Sequence, residues 1–183
     1  EAVSWGLADF AAAEEMGRMR GYWWSPDGST IVATRVDNSP VARWHISNPA
    51  QPEQSSHEVA YPAAGTDNAV VTLHVLSLDG GSQEIHWDRS AFPYLVDVAW
   101  FDNSSVLLTV QSRDQRSLMI LAADPTTGTT EPLLALDFFD ARLGMAVGNF
   151  ATAVRTTDGG ATWKKVAVAA EGEDPSFNGV AFL

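Results

Sequence analysis

A chain of 183 residues with 45% hydrophobic content holds enough apolar material for one domain with a buried core, which excludes a disordered segment. Its 23 Asp and Glu against 11 Lys and Arg give a formal net charge of -12, which excludes a nucleic-acid backbone or an anionic membrane as partner and favours a cationic ligand or a basic surface. With no cysteine there are no disulfides, thiolate metal sites or cysteine nucleophiles, a composition that suits either redox compartment.

The acidic start "EAVSWGLADF" lacks the basic beginning of a signal peptide, and no run approaches the roughly 20 apolar residues of a membrane-spanning helix. The first element expected is a helix over residues 8–19, "ADFAAAEEMGRM". Asp9 suits its N-cap, Ala and Glu favour the helical state, and Gly17 limits it to two or three turns. Glu14 and Glu15 then stand four and three residues before Arg18, the spacing of an ordinary surface ion pair worth about 0.3 kcal/mol.

"SPDG" at 25–28 follows as a turn: Pro26 presets its backbone angle, Asp27 bonds its own backbone, and Gly28 accepts a positive φ. The alternation in "STIVATRV" (29–36) predicts a strand with Val32, Thr34 and Val36 on one face and Ile31, Ala33 and Arg35 on the other. A Pro-, Gly- and Ser-rich excursion occupies 45–68. Further strands are predicted at 69–78, 105–112, 117–124, 144–150 and 151–157, most of them separated by Gly, Asp, Asn or Pro turns.

Two internal echoes organise these strands. "WSPDGSTIVAT" from Trp24 resembles "WFDNSSVLLTV" from Trp100, Asp27 matching Asn103 and Gly28 matching Ser104. "LDFF" (136–139) resembles "VAFL" (180–183), with Leu136 against Val180 and Phe138 against Phe182. The second spacing suits one blade of a β-propeller, about 40–50 residues of four short antiparallel strands, and the first suits a blade plus the 45–68 excursion. The fold expected is therefore all-β: a partial β-propeller of roughly three four-stranded antiparallel blades with one short N-terminal helical insertion.

"WGLADFAAAEEMGRMRGYWWSPDG", "VDNSPVARWHI", "VAYPAAGTDNAVVTLHV", "PYLVDVAW" and "VQSRDQRSLMILAAD" occur here in the order found in the N-terminal propeller of bacterial dipeptidyl peptidase IV-like serine peptidases, which residues 1–134 resemble. The resemblance implies an eight-bladed propeller over an α/β-hydrolase domain, with a helical insertion carrying a Glu pair into the shared cavity. Glu14 and Glu15 match that pair, which in the family binds the free N-terminal ammonium of a peptide. Residues 135–183 change character: "TTDGGATW" (156–163) is similar to the Asp-box turn of sialidase-type propellers, and with "FFDARLGMAVG" it resembles the repeats of photosystem II stability and assembly factors. In those repeats the residue matching Asp158 braces a turn and the one matching Trp163 packs between blades. Neither portion completes a ring, so a fragment, a chimera or one part of an assembly is expected, with self-association or a missing propeller or hydrolase partner.

The chemistry available to the residues agrees with binding. An ammonium needs two or three acceptors held close together, which two carboxylates provide. Glycosidase carboxylates flank a bond about 5 to 10 Å apart, whereas these are sequence neighbours on one turn, so acid–base catalysis by the pair is excluded. No G-x-S-x-G elbow is present, and His45, His57, His74 and His86 are scattered, without H-x-H or H-x-x-x-H spacing. "DPTTGTTEP" (124–132) reads as a hairpin turn, since it lacks the spaced carboxylates of a calcium loop. Of the seven tryptophans, Trp24, Trp100 and Trp163 sit at repeat positions and are expected to pack blades. "GRMRG" (17–21) and "QSRDQR" (111–116) are too small for a nucleic-acid surface in so acidic a chain. No cofactor or metal is implied, the expected ligand is a peptide with a free N-terminus, and cleavage is not expected from this chain alone. The alternatives are an Asp-box scaffold for a protein or glycan and a recombined propeller that only folds and self-assembles.

Overall fold

The computed structural model describes residues 2–100, 105–149, 151–168, 175–177 and 179–182. In chain order the elements are Val3–Trp5 (β1), Phe10–Glu14 (α1), Tyr22–Trp24 (β2), Thr30–Asp37 (β3), Arg43–Ile46 (β4), His57–Ala60 (β5), Val70–Ser77 (β6) and Ser82–Ile85 (β7). They continue with Tyr94–Ala99 (β8), Val106–Gln111 (β9), Ser117–Ala123 (β10), Thr130–Phe138 (β11), Gly144–Gly148 (β12), Ala153–Thr156 (β13) and Lys164–Lys165 (β14). Among the described residues the protein is all-β apart from one short helix, in antiparallel sheets that make a partial propeller, and each of the six strands predicted by alternation has its counterpart.

β3 is the spine of the first sheet. Its alternation buries Val32, Thr34 and Val36, and it pairs along its whole length with β6, which pairs in turn with β7. Both short strands lie along the opposite edge of β3: β2 beside Ile31–Ala33 and β1 beside Arg35–Asp37. The sheet is thus a four-stranded blade whose first strand is interrupted, and the interruption emits residues 6–21 with α1. Thr34 closes the neck between the two pieces: Gly6 N–H donates to its carbonyl at 2.9 Å, and its own N–H donates to Gly21 O at 2.7 Å. The Thr34 hydroxyl donates to Leu7 O at 2.7 Å, and Leu7 bridges Arg20.

Strands β8 to β14 form one continuous antiparallel sheet in sequence order. The boundary expected at 134/135 falls inside β11, whose free edge takes β12 over Leu134–Phe138. The main core lies between the two sheets: Val32, Leu73 and Ile85 from the first meet Leu95, Val106, Leu108 and Val110 from the second, all at most 1% exposed. A smaller cluster of Ala135, Val147 and Ala153 lies under β11–β13. The 45–68 excursion is more ordered than its composition suggests, because β4 and β5 pair as a two-stranded ribbon through it.

Several expectations are corrected by local geometry. The helix ends at Glu14 rather than near residue 19: Gly17 turns left-handed (φ +68°) and Arg18 N–H reaches back to Ala12 O at 2.9 Å, a helix-terminating closure. Asp9 is the N-cap, as expected, accepting from Ala12 N at 3.3 Å. Trp24, expected to pack blades, is 51% exposed, because the two-residue period of β2 turns Trp23 inward instead, 7% exposed. Trp163 braces its own hairpin, donating from its indole to Gly160 O at 3.1 Å and meeting Phe138 edge-on at 6.1 Å. Residues 101–104, Phe150 and Leu183, which belong to predicted repeats and strands, lie outside the described residues.

One device recurs at four hairpins: a Ser or Thr, any residue, then an Asp. Asp27, Asp114 and Asp158 accept from the hydroxyls of Ser25, Ser112 and Thr156 at 2.7, 2.6 and 2.7 Å, and Ser77 bonds Asp79 in the same way. These bonds favour the charged carboxylate, so all four aspartates titrate below their ordinary range. Asp158 goes furthest, to about 2, because the Thr162 hydroxyl and N–H, at 2.5 and 2.9 Å, donate to it as well as Thr156. A folded-state pKa below the unfolded value stabilises the fold above pH 3.8, and that contribution is lost as pH falls toward 2. Carboxyl carbon NMR should therefore place Asp158 lowest of the four, and Thr162→Val should move it back toward 3.8. An unchanged Asp158 titration in Thr162→Val would show that the Thr162 hydroxyl is not what lowers it.

Candidate functional site

The two carboxylates stand at the end of α1. Glu14 is its last residue and Glu15 its C-cap, both exposed, and no basic residue lies in the last turn. A helix C-terminus already presents partly negative carbonyls, so two anions there are locally unfavourable unless a cation answers them. The surface pair with Arg18 does not form. Once Gly17 reverses the chain, Arg18 runs back under the helix, its side chain only 4% exposed, and pairs with Asp9 at 3.0 Å.

Arg18 thereby fastens the insertion to the second sheet. Its Nε and one terminal nitrogen donate to Leu95 O in β8 at 3.3 and 3.1 Å, the other terminal nitrogen to Arg20 O at 2.9 Å, and the guanidinium lies 5.9 Å from the centre of the Trp23 ring. Burial pulls the Arg18 pKa below its ordinary value, opposed chiefly by the charges of Asp9 and Asp97. The remaining hydrogen-bond partner near the pair is neutral: Gln115, in the turn between β9 and β10, donates from Nε2 to Glu15 Oε2 at 2.6 Å. Among the described residues, the Glu14 side chain makes no hydrogen bond or ion pair.

Beside Glu15 opens a cavity of about 380 Å³ between α1, the 61–68 loop and the β9–β10 turn. Phe10, Tyr61 and Tyr94 form apolar walls, and Asn68, Arg113 and Gln115 supply polar groups. Tyr61 packs edge-on against Phe10 at 5.2 Å and, tilted, against Trp44 of the β4–β5 ribbon at 4.7 Å. The arginines of the two basic spots are largely engaged: besides Arg18, Arg113 donates to Thr66 O, and Arg116 to Phe138 O and Phe139 O at 2.8 and 3.0 Å. The histidines do not converge. His74 lies on β6 within 2.9 Å of the Thr72 hydroxyl, its pKa lowered chiefly by burial, while His45 and His86 stand beside Glu58 and Glu84. Among the described residues no cluster of three or more His, Asp or Glu side chains suits a metal ion, and no helix is long and apolar enough to cross a membrane.

Residues 1–142 match the sequence family described as the dipeptidyl peptidase IV (DPP IV) N-terminal region, a span that includes the whole insertion and its cavity. The chain belongs to that family. Dipeptidyl aminopeptidase B of Saccharomyces cerevisiae is 27% identical to this DPP IV N-terminal region chain over 134 residues, 68% of the chain and 16% of the yeast protein. The inactive dipeptidyl peptidase 10 of Rattus norvegicus is 26% identical over 132 residues, 67% of the chain and again 16% of the relative. The chain thus spans about a sixth of the length of these curated relatives. In architecture it is similar to the crystal structure of Porphyromonas gingivalis dipeptidyl peptidase 4, with a TM-score of 0.66 at 18% identity, covering 92% of this chain and 27% of that one.

Sequence reasoning singled out Glu14 and Glu15 but missed the two side chains that fix their surroundings, Arg18 and Gln115. The Gln115 signal was present in the pattern of the turns: three of the four Ser/Thr-x-Asp hairpins continue with Gly, and the fourth continues with Gln115.

Proposed function

We propose that this segment recognises the free ammonium group of a peptide N-terminus through Glu14 and Glu15, as the recognition part of a dipeptidyl peptidase, and that its own residues do not cleave the peptide. The observation that carries this reading is the uncompensated charge: Glu14 is unengaged, Glu15 is held by a neutral amide, and Arg18, three residues beyond, is paired with Asp9. An ammonium brings the three donors and the positive charge that this end of α1 lacks. The region is shared by a relative named as an aminopeptidase and one named as inactive, which suits a recognition role separable from catalysis.

The test is titration of the chain with Ala-Pro amide and its N-acetyl counterpart, followed by NMR. Weak binding of the free amine is expected, with none for the acetylated peptide. Glu14→Gln and Glu15→Gln should each weaken it about fivefold, the scale of one exposed charged contact. Equal binding of the two peptides would end this reading.

The Asp158 clasp favours a second reading for residues 135–183. There the bracing of the hairpin, by Thr156 and Thr162 around one carboxylate, supports an Asp-box unit added to the 1–134 segment as a scaffold for a protein or glycan. Binding of such a ligand would be lost in Trp163→Ala and untouched by Glu14→Gln.

A further inference from the structure

The four Ser/Thr-x-Asp turns form an internal control. After the aspartate the chain turns left-handed each time: φ is +70° at Gly28, +94° at Gly80, +73° at Gly159 and +59° at Gln115. Glycine adopts that conformation freely and a residue with a side chain does not, so three turns carry the residue that their backbone prefers and the fourth does not. Gln115 and Ala151 are the non-glycine residues with positive φ among those described.

What the β9–β10 turn gains from a side chain at that place is its bond to Glu15, 100 residues away in sequence. The turn is also held from several sides. Gln115 N–H donates to Ser112 O at 3.0 Å and Gln111 Nε2 to Gln115 O at 3.1 Å, while Arg113 and Arg116 are anchored on the carbonyls of Thr66, Phe138 and Phe139. Arg113 lines the same cavity but donates to Thr66 O, Arg116 donates to Phe138 O and Phe139 O, and the side chain that bonds the carboxylate is an amide. A carboxylate only accepts, so the Gln115 amide orients one oxygen of Glu15 without neutralising its charge.

We propose that Gln115 is a positioning residue for the Glu pair: from a fixed turn it holds Glu15 aimed at an incoming ammonium and leaves Glu14 and the second Glu15 oxygen free to accept from it. This rests on the ammonium reading above. Because glycine suits the backbone at 115, Gln115→Gly separates positioning from stability: its Tm should be no lower than the parent's while Ala-Pro amide binds about three- to tenfold more weakly. Gln115→Asn, too short to reach, should behave alike in binding. In Glu15→Gln/Gln115→Gly the loss should be no greater than in Glu15→Gln alone. Gln115→Lys should weaken binding further, since a fixed cation competes with the ligand, and added salt should relieve part of that loss. Parent-like affinity in Gln115→Gly, or a loss that follows a falling Tm, would overturn the proposal.

A ligand-free measurement keeps this apart from the reading on which it rests. The side-chain amide resonances of Gln115 should move in Glu15→Gln and stay in place in Glu14→Gln. If they ignore Glu15→Gln, the pairing is absent and the proposal falls whatever the peptide does. If they respond but free and acetylated peptides bind alike, the ammonium reading fails and Gln115 has nothing to position for, which also overturns it.

Discussion

Arg18→Ala is expected to destabilise the protein by about 3 kcal/mol, because it removes one partner of a buried ion pair and strands the other. Asp9 would keep a carboxylate that is 11% exposed and has no cation beside it. Leu95 O would lose both donors that Arg18 sends across to β8, and the Trp23 ring would lose the guanidinium over its face. Arg18→Lys should recover part of the loss, since one ammonium cannot reach Asp9, Arg20 O and Leu95 O in the same fork. Asp9→Asn/Arg18→Met should cost much less than Arg18→Ala, as no charge is then left unpaired and Asn still caps α1. Urea unfolding followed by tryptophan fluorescence measures all three. A loss below about 1 kcal/mol in Arg18→Ala would show that the clasp does not hold the insertion. With the clasp gone, amide exchange at Ala12 and Ala13 should quicken before that of β3, because α1 loses its anchor on β8 while the blade keeps its ladders.

The parts legible in the sequence were those decided within a few residues. Asp9 as a cap, "SPDG" as a turn and the alternation of 29–36 are local matters, and each has its counterpart in the structure. The length of α1 was not local: Gly17 and the burial of Arg18 stop the helix at Glu14, and that burial depends on a carbonyl 77 residues away. Spacing alone suits Arg18 to a surface pair, and the structure makes it a clasp on Asp9 instead. Trp23 and Trp24 differ by one residue of strand parity, which composition cannot assign but the register of β2 on β3 does. Glu14 and Glu15 are proposed through family resemblance and local charge, whereas the bond of Gln115 to Glu15 shows only once the four turns are set beside one another.

Gly21→Ala is the second large effect expected, a loss of about 3 kcal/mol, and it bears on the neck rather than the helix. Gly21 does not need a positive φ. It lies where the returning chain crosses the departing one, so that an added Cβ would stand 2.7 Å from the Leu7 carbonyl carbon and closer still to the Leu7 oxygen and the Thr34 hydroxyl. The Leu7 atoms are backbone held by the bridge to Arg20, and no rotamer change relieves them. Thr34→Ala in the same chain should therefore return only part of the stability, since it clears the hydroxyl and leaves the carbonyl. Gly17→Ala is the useful contrast. There φ is +68° but a Cβ meets nothing within 4 Å, so only backbone strain of about 1 kcal/mol is expected. If Gly21→Ala cost no more than Gly17→Ala in the same denaturation series, the neck would be looser than its hydrogen bonds to Thr34 indicate. If it costs the larger amount, the two pieces of the interrupted strand can separate only by giving up those bonds, and the carboxylates of α1 are held in place by the strand that carries them as well as by the arginine beneath them.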